Sequence, residues 1–166
     1  WGGEGRGTMT GAILWVSILL TPRIFYLRSL LVRYFPVLLI AVPIYNIDGE
    51  LVNVRRYKMG AANDKMLNWP GHGSNCLYLP EALNDSKVLI CEGEMDALLA
   101  NQYGFPALSV TAGAGTWEAQ FSPLFFGKSV YVVYDVDDAG AKGAKKVAAA
   151  LRGIAKAVRI VQLPMT

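Results

Sequence analysis

The sequence predicts an α/β fold built on a parallel sheet, and three observations predict it. From Lys87 onward, short apolar runs recur at Val88 to Cys91, Ala107 to Thr111, Val130 to Tyr134 and Val158 to Leu163. Helical patterns lie between them, at Glu94 to Gln102, Trp117 to Phe125 and Gly140 to Arg152, each closed by a Gly or Pro signal. Two of the apolar runs, in "VLICEGEMDALL" and "VYVVYDVDDAG", end abruptly on carboxylates. Apolar strands separated by helices cannot pair as hairpins, so they predict a Rossmann-like parallel sheet of about four strands flanked by helices on both faces.

The preceding residues read differently. "IYNIDGELVNVRRYKM" has the pattern of a hairpin, with Ile44 to Ile47, a turn at Asp48-Gly49, and Leu51 to Tyr57. A loop rich in Gly and Asn follows, up to "LYLPEAL". The expected organisation is thus an apolar segment over 1–42, a small hairpin subdomain over 43–86 and an α/β domain over 87–166. The opening "WGGEGRGTM" lacks an initiator methionine, the pattern of a fragment of something longer.

Composition locates the unusual part of the chain. Apolar residues make up 53% of the 166 and charged residues 17%, and the apolar bias is concentrated before Pro43. Gly11 to Val42 is interrupted by Arg23, Arg28 and Arg33 and broken by prolines 22, 36 and 43, so its charge-free stretches fall short of the roughly 18 to 20 residues that cross a bilayer. The readings left are a helical buttress or a segment foreign to the domain, and no membrane partner is expected. The net charge of +3 also arises here, because residues 44–166 carry 12 Lys or Arg against 12 Asp or Glu. Net charge therefore makes no case for nucleic acid, and only local clusters can. Cys76 and Cys91 stand far apart with no metal-ligand spacing, which excludes a structural zinc site and fits a reducing, cytoplasmic compartment.

The carboxylates carry the chemistry. Functional side chains of an open parallel sheet gather beyond the carboxyl ends of its strands. Glu92 follows the first of the regular strands and Asp135 the third. Asp137, two residues on, shares the direction of Asp135 in an extended backbone, and Asp96 lies one helical turn beyond Glu92. Like charges so placed repel unless protons or cations neutralise them. Oxygen-only donors favour a hard ion, Mg2+ or Mn2+, and point to phosphoryl chemistry on a nucleotide. Carboxylates after a strand also serve as helix N-caps, a reading that stays open for Asp138, while Glu94 reads as a solvated helix face. "DVDDAGAKGAKK" is not a calcium loop, since Lys146 stands where the bidentate Glu belongs.

Glu92-Gly93 with Asp96, followed by Asp135-x-Asp137 with Ala139-Gly140, resembles the Toprim domain of DnaG-type primases, topoisomerases and some nucleases. Upstream, "KMLNWPGHGSNCLYLPEAL" looks like the segment that precedes the Toprim strand in bacterial and phage primases. The resemblance covers about residues 43–164 and implies the catalytic core of a DNA primase or primase-helicase, a nucleotidyltransferase that makes RNA primers on a single-stranded DNA template from ribonucleoside triphosphates. It implies Glu92, Asp135 and Asp137 as catalytic residues, Glu92, Asp96, Asp135 and Asp137 as ligands of Mg2+ or Mn2+, and Lys65 as a contact to nucleotide or template. Arg55 and Arg56 would match basic residues of the preceding subdomain. With Lys58 and Tyr57 they also form a basic, aromatic stretch suited to single-stranded nucleic acid, although charged strands equally protect sheet edges. A replicative helicase, in cis or in trans, is the implied partner, in a bacterial or phage-infected cell. A Toprim nuclease, a topoisomerase piece and a non-catalytic nucleic-acid-binding module are the alternatives.

Overall fold

The computed structural model describes residues 30–34, 37–59, 66–73, 75–113 and 115–163. The chain divides into two compact units, one of Trp1–Pro43 with Asn53–His72, the other of Ile44–Val52 with Gly73–Thr166.

The N-terminal strands are β1 (Leu30–Tyr34), β2 (Val37–Tyr45), β3 (Leu51–Lys58) and β4 (Met66–Asn68), in the order β1-β2-β3-β4, with β1 antiparallel to β2 and β3 antiparallel to β4. The helical reading of the apolar segment therefore fails over residues 30–34 and 37–42, and the rest of that segment lies outside the described residues. Pro36 and Pro43 forbid a continuous helix, and the β-branched Val37, Ile40 and Val42 between them suit a pleated surface. The turn from β2 to β3 forms where the sequence places it. Asn46 Oδ1 accepts from the N–H groups of Asp48 and Glu50 at 3.0 and 2.9 Å, and Gly49 takes the left-handed φ of 82° that the turn needs.

The second sheet has the order β5-β7-β6-β8-β9, from β5 (Leu77–Tyr78), β6 (Lys87–Cys91), β7 (Ala107–Val110), β8 (Ser129–Val133) and β9 (Ala157–Val161). Four strands are parallel, as predicted, and β5 adds a fifth, antiparallel on β7. Only two residues long, β5 is too short to show a period in sequence. The chain runs outward from β6 to β7 in one direction, then returns to lay β8 on the other side of β6. The strand order thus reverses between β6 and β8, and the carboxyl ends of these two strands flank the crevice where such sheets bind ligands.

Two helices cross over between strands, α1 (Glu94–Gln102) and α2 (Asp138–Leu151). The expected helix at Trp117 to Phe125 is instead a 3-10 stretch, Ala119–Phe125, because Pro123 inside it has no N–H to donate. On one sheet face Val88, Ile90, Leu108, Val130 and Val132 pack against Phe121, Phe125, Ala144, Val147 and Leu151. Trp117 completes this core, edge-on to Phe121 and donating through Nε1 to Ser122 Oγ at 3.1 Å. Each large side chain buried here contributes about 1.5–3 kcal/mol.

The other face departs from the expectation of full coverage. Leu99 and Ala100 of α1, with Tyr103 just past its end, line one wall of an open apolar trough of about 670 Å³, whose floor is Leu89, Cys91, Tyr131, Val133 and Val161. Asp96 and Asp135 also line it, so the trough reaches the carboxyl ends of the strands. Among the described residues, no helix is long and apolar enough to cross a membrane.

Candidate functional site

Strand β6 ends at Cys91 and delivers Glu92; β8 ends at Val133 and delivers Asp135 two residues later. Parallel pairing in register, Cys91 beside Val133, brings both exits to the same height. Glu92 then reaches across the crevice, and its Oε2 accepts from the backbone N–H of Asp135 at 2.9 Å. This bond joins the two acidic motifs directly.

Each helix begins at the crevice and fixes one more carboxylate. Asp96, in the first turn of α1, folds back so that its Oδ2 accepts from the Gly93 N–H at 3.2 Å. Asp137 is the N-cap of α2, its Oδ1 accepting from Gly140 N at 2.7 Å. The cap is therefore Asp137, with Asp138 in the first turn, where its charge still favours the positive helix end. Glu94 departs from the solvated reading, since it is buried at 5% exposure.

Gly140 shapes the space behind the cluster. A Cβ there would lie 2.3 Å from the Asp135 carbonyl oxygen and 2.9 Å from Glu92 Oε2. Only glycine lets α2 start so close to both motifs. The sequence signal was a glycine in the first helical turn, a position where it costs helix stability and so needs a local reason.

The electrostatics record the crowding. The carboxyl of Glu92 is held above its ordinary value mainly by loss of surrounding water. The Asp135 N–H pulls it the other way, and the charges of Asp135, Asp137 and Asp96 push it further up. Asp96 is also raised, first because protein crowds its carboxyl although the residue as a whole stays exposed, then by the charge of Asp135. Behind them, burial pushes the Cys91 thiol up to about 12, which leaves it an inert strand residue. Neither Cys76 nor Cys91 forms a disulfide.

The donor chemistry of the four carboxylates suits a hard divalent cation. All donors are carboxylate oxygens, and Glu92, Asp96 and Asp137 are each held through one oxygen by a backbone N–H. Among the described residues, no group of three or more His, Cys, Asp or Glu side chains is drawn together tightly enough to hold a metal ion as it stands.

The basic residues lie in the other unit, on β3. Arg56 and Lys58 share one face of the strand, while Arg55 lies on the opposite face, which also carries Asn53. The stretch that reads as one basic patch in sequence is thus split by strand alternation. Lys65 lies outside the described residues. His72 is exposed, and Lys146 on α2 donates to the Gly115 carbonyl at 2.6 Å.

The Gene 57 protein of Mycobacterium phage D29 is 32% identical over 120 residues, covering 70% of this chain and 75% of that protein. A profile of the Toprim-like family matches residues 89–166, which begin in β6 and include every candidate carboxylate. The chain belongs to the Toprim-like family. Among solved structures, the primase fragment of the bacteriophage T7 primase-helicase protein superposes with a TM-score of 0.66 at 23% identity, over 82% of this chain and 58% of that one. The DnaG primase catalytic domain bound to single-stranded DNA gives 0.61 at 26% identity, over 76% and 44%. The chain therefore spans less than two thirds of these solved primase structures. Its Toprim-like fold is the fold of DnaG-type primase cores.

Proposed function

We propose that this chain is the Toprim catalytic region of a phage-type DNA primase, joining ribonucleotides on a single-stranded DNA template in the cytoplasm of a bacterial or phage-infected cell. One observation carries the reading. At the point where the strand order reverses, Glu92 from β6 and Asp135 from β8 are locked together by a 2.9 Å hydrogen bond, with Asp96 and Asp137 held beside them at two helix starts.

In this reading Glu92, Asp96, Asp135 and Asp137 would hold Mg2+ or Mn2+, which would neutralise phosphate charge and lower the pKa of an attacking hydroxyl. In the same reading Glu92 serves as metal ligand or as general base for a 3′-hydroxyl. Asp137 keeps its orientation because the Gly140 N–H holds one oxygen, and the Asp135 backbone is held by Glu92. Arg55, Arg56, Lys58 and Lys65 supply charge for template and triphosphate. The similarity to primase cores, one of them solved with single-stranded DNA and one part of a primase-helicase, supports these partners. A replicative helicase in cis or in trans would complete the system.

The test is incorporation of labelled ribonucleotides on single-stranded DNA with Mg2+ or Mn2+, comparing the chain with Glu92→Gln and Asp135→Asn. Synthesis lost in both variants is the expected result. Metal-dependent DNA cleavage without synthesis, lost in the same variants, would replace the primase reading with a nuclease. Nucleic-acid binding that survives both substitutions, with neither activity, would make the chain a binding module.

A further inference from the structure

We infer that Trp69 is a stacking platform for an unpaired nucleobase, and that Arg56 and Lys58 hold the phosphates beside it. The inference rests on the nucleic-acid reading above and adds a residue outside its basic set.

Trp69 is fixed by its backbone before any ligand arrives. Its N–H donates to the Val54 carbonyl at 3.0 Å, and its own carbonyl accepts from His72 N at 3.0 Å. The second bond closes the turn Trp69-Pro70-Gly71-His72, in which Gly71 has a φ of 81°. Pro followed by a left-handed Gly is the type II arrangement, which both residues preorganise. A tryptophan on such a turn loses little entropy on binding.

The surroundings favour a base. Pairing of Arg55 with Asn68 puts Val54 opposite Trp69, so Trp69 shares a sheet face with Arg56 and, two residues on, Lys58. The Arg56 guanidinium sits 5.6 Å from the indole centroid and donates to the Asn68 carbonyl at 3.0 Å. Even so, Trp69 keeps 53% of its surface in water, a large exposed area for an aromatic side chain. Arg56 and Lys58 stand about 6.6 Å apart along the strand, a spacing on the scale of successive phosphates in an extended single strand. On the opposite face the Asn53 Nδ2 to Asn68 Oδ1 bond at 3.1 Å occupies the sheet, and Asn53 is buried. Only one face of this ribbon therefore combines an open aromatic ring with two cations, the pairing that binds single strands without sequence preference.

The experiment is fluorescence polarisation of a dye-labelled thymidine oligomer of about 15 nucleotides against the full chain, beside an abasic oligomer of equal length. EDTA is present and nucleotides are absent, so the result is independent of the acidic cluster. Trp69→Ala should weaken binding of the thymidine oligomer by about 5- to 150-fold and leave the abasic oligomer unchanged. Trp69→Phe should restore most of the loss, which a folding defect would not allow. Lys58→Ala should weaken both oligomers and lower the salt slope by about 0.7. Equal binding of the two oligomers by the unsubstituted chain, or a Trp69→Ala variant that binds the thymidine oligomer normally, would overturn the inference. Intact base-dependent binding in a chain without primer synthesis would instead refute the primase reading and leave Trp69 its role.

Discussion

Gly140→Ala adds one methyl group at the place where the two acidic motifs meet. The new Cβ would lie 2.3 Å from the Asp135 carbonyl oxygen and 2.9 Å from Glu92 Oε2, where real Cβ atoms keep at least 3.0 Å. The carbonyl must retreat by about 0.7 Å, because the obstacle is backbone and has no rotamer to escape into. Overpacking of this kind costs about 1–3 kcal/mol, and alanine's better helix propensity returns about 0.8–1 kcal/mol. The net loss is near 1 kcal/mol, a fall in Tm of about 2–4 °C for a domain this size. Function should suffer far more than stability. Displacing Asp135 and tilting Glu92 moves two proposed ligands at once, and an error of about 1 Å can cost about 100-fold in rate. The assays are thermal melting, Mn2+ titration and ribonucleotide incorporation, with Gly115→Ala as the control, since its Cβ meets nothing within 4 Å. A Gly140→Ala variant with unchanged Mn2+ affinity and unchanged incorporation would refute the argument that this close approach shapes the site.

Three further outcomes follow from the same geometry. Glu92 and Asp96 titrate above their ordinary values of 4.5 and 3.8 in the folded chain, so the folded state binds more protons there and stability falls as pH rises through the raised values. Glu92→Gln and Asp96→Asn should each stabilise the metal-free protein near pH 7 by about 0.2–1 kcal/mol after solvent screening and flatten that slope; melts in EDTA showing both variants less stable at neutral pH would contradict it. Asp137→Ala removes the cap of α2 and should cost about 1 kcal/mol, whereas Asp137→Ser should keep the cap and most of the stability yet lose incorporation. Incorporation by the serine variant at the original rate would reduce Asp137 to a structural role. Phe125→Ala, fully buried against Trp117, should cost about 3–5 kcal/mol in denaturant unfolding, and a loss below 1 kcal/mol would mean the core is elsewhere.

The parts of this fold legible in sequence are those with a period. The boundaries of α1 match at both ends, and the four parallel strands lie within two residues of their predicted limits, because apolar runs bounded by Gly, Pro and charge leave few alternatives. The crevice was legible because the two strand ends are marked by a switch from apolar residues to carboxylates, Cys91 to Glu92 and Tyr134 to Asp135. What escaped depends on distant partners. The burial of Glu94 is invisible in a pattern where charge signals solvent, and the two-residue β5 is defined only by β7. The 3-10 stretch was signalled by Pro123 and outweighed by the apolar spacing around it. The division of Arg55 from Arg56 and Lys58 was readable from strand alternation alone; its meaning required Trp69, which reaches their face only through the pairing of β3 with β4.

Four carboxylates gather at the carboxyl ends of β6 and β8, and backbone amides hold three of them. The N–H groups of Asp135, Gly93 and Gly140 each donate to a different carboxylate, and two belong to the starts of α1 and α2. Both helix N-termini point their partial positive charge at the crevice, an attraction of about 0.3–1 kcal/mol per nearby anion. These fixed dipoles offset part of the repulsion and leave the remainder, visible in the raised carboxyls of Glu92 and Asp96, for a ligand to relieve. In the proposed reading, a divalent cation would meet three carboxylates already held by backbone N–H groups and would draw the group closer together. The fold supplies this by one topological fact: β6 and β8 are neighbours whose connections leave in opposite directions, so two helices begin at the same crevice.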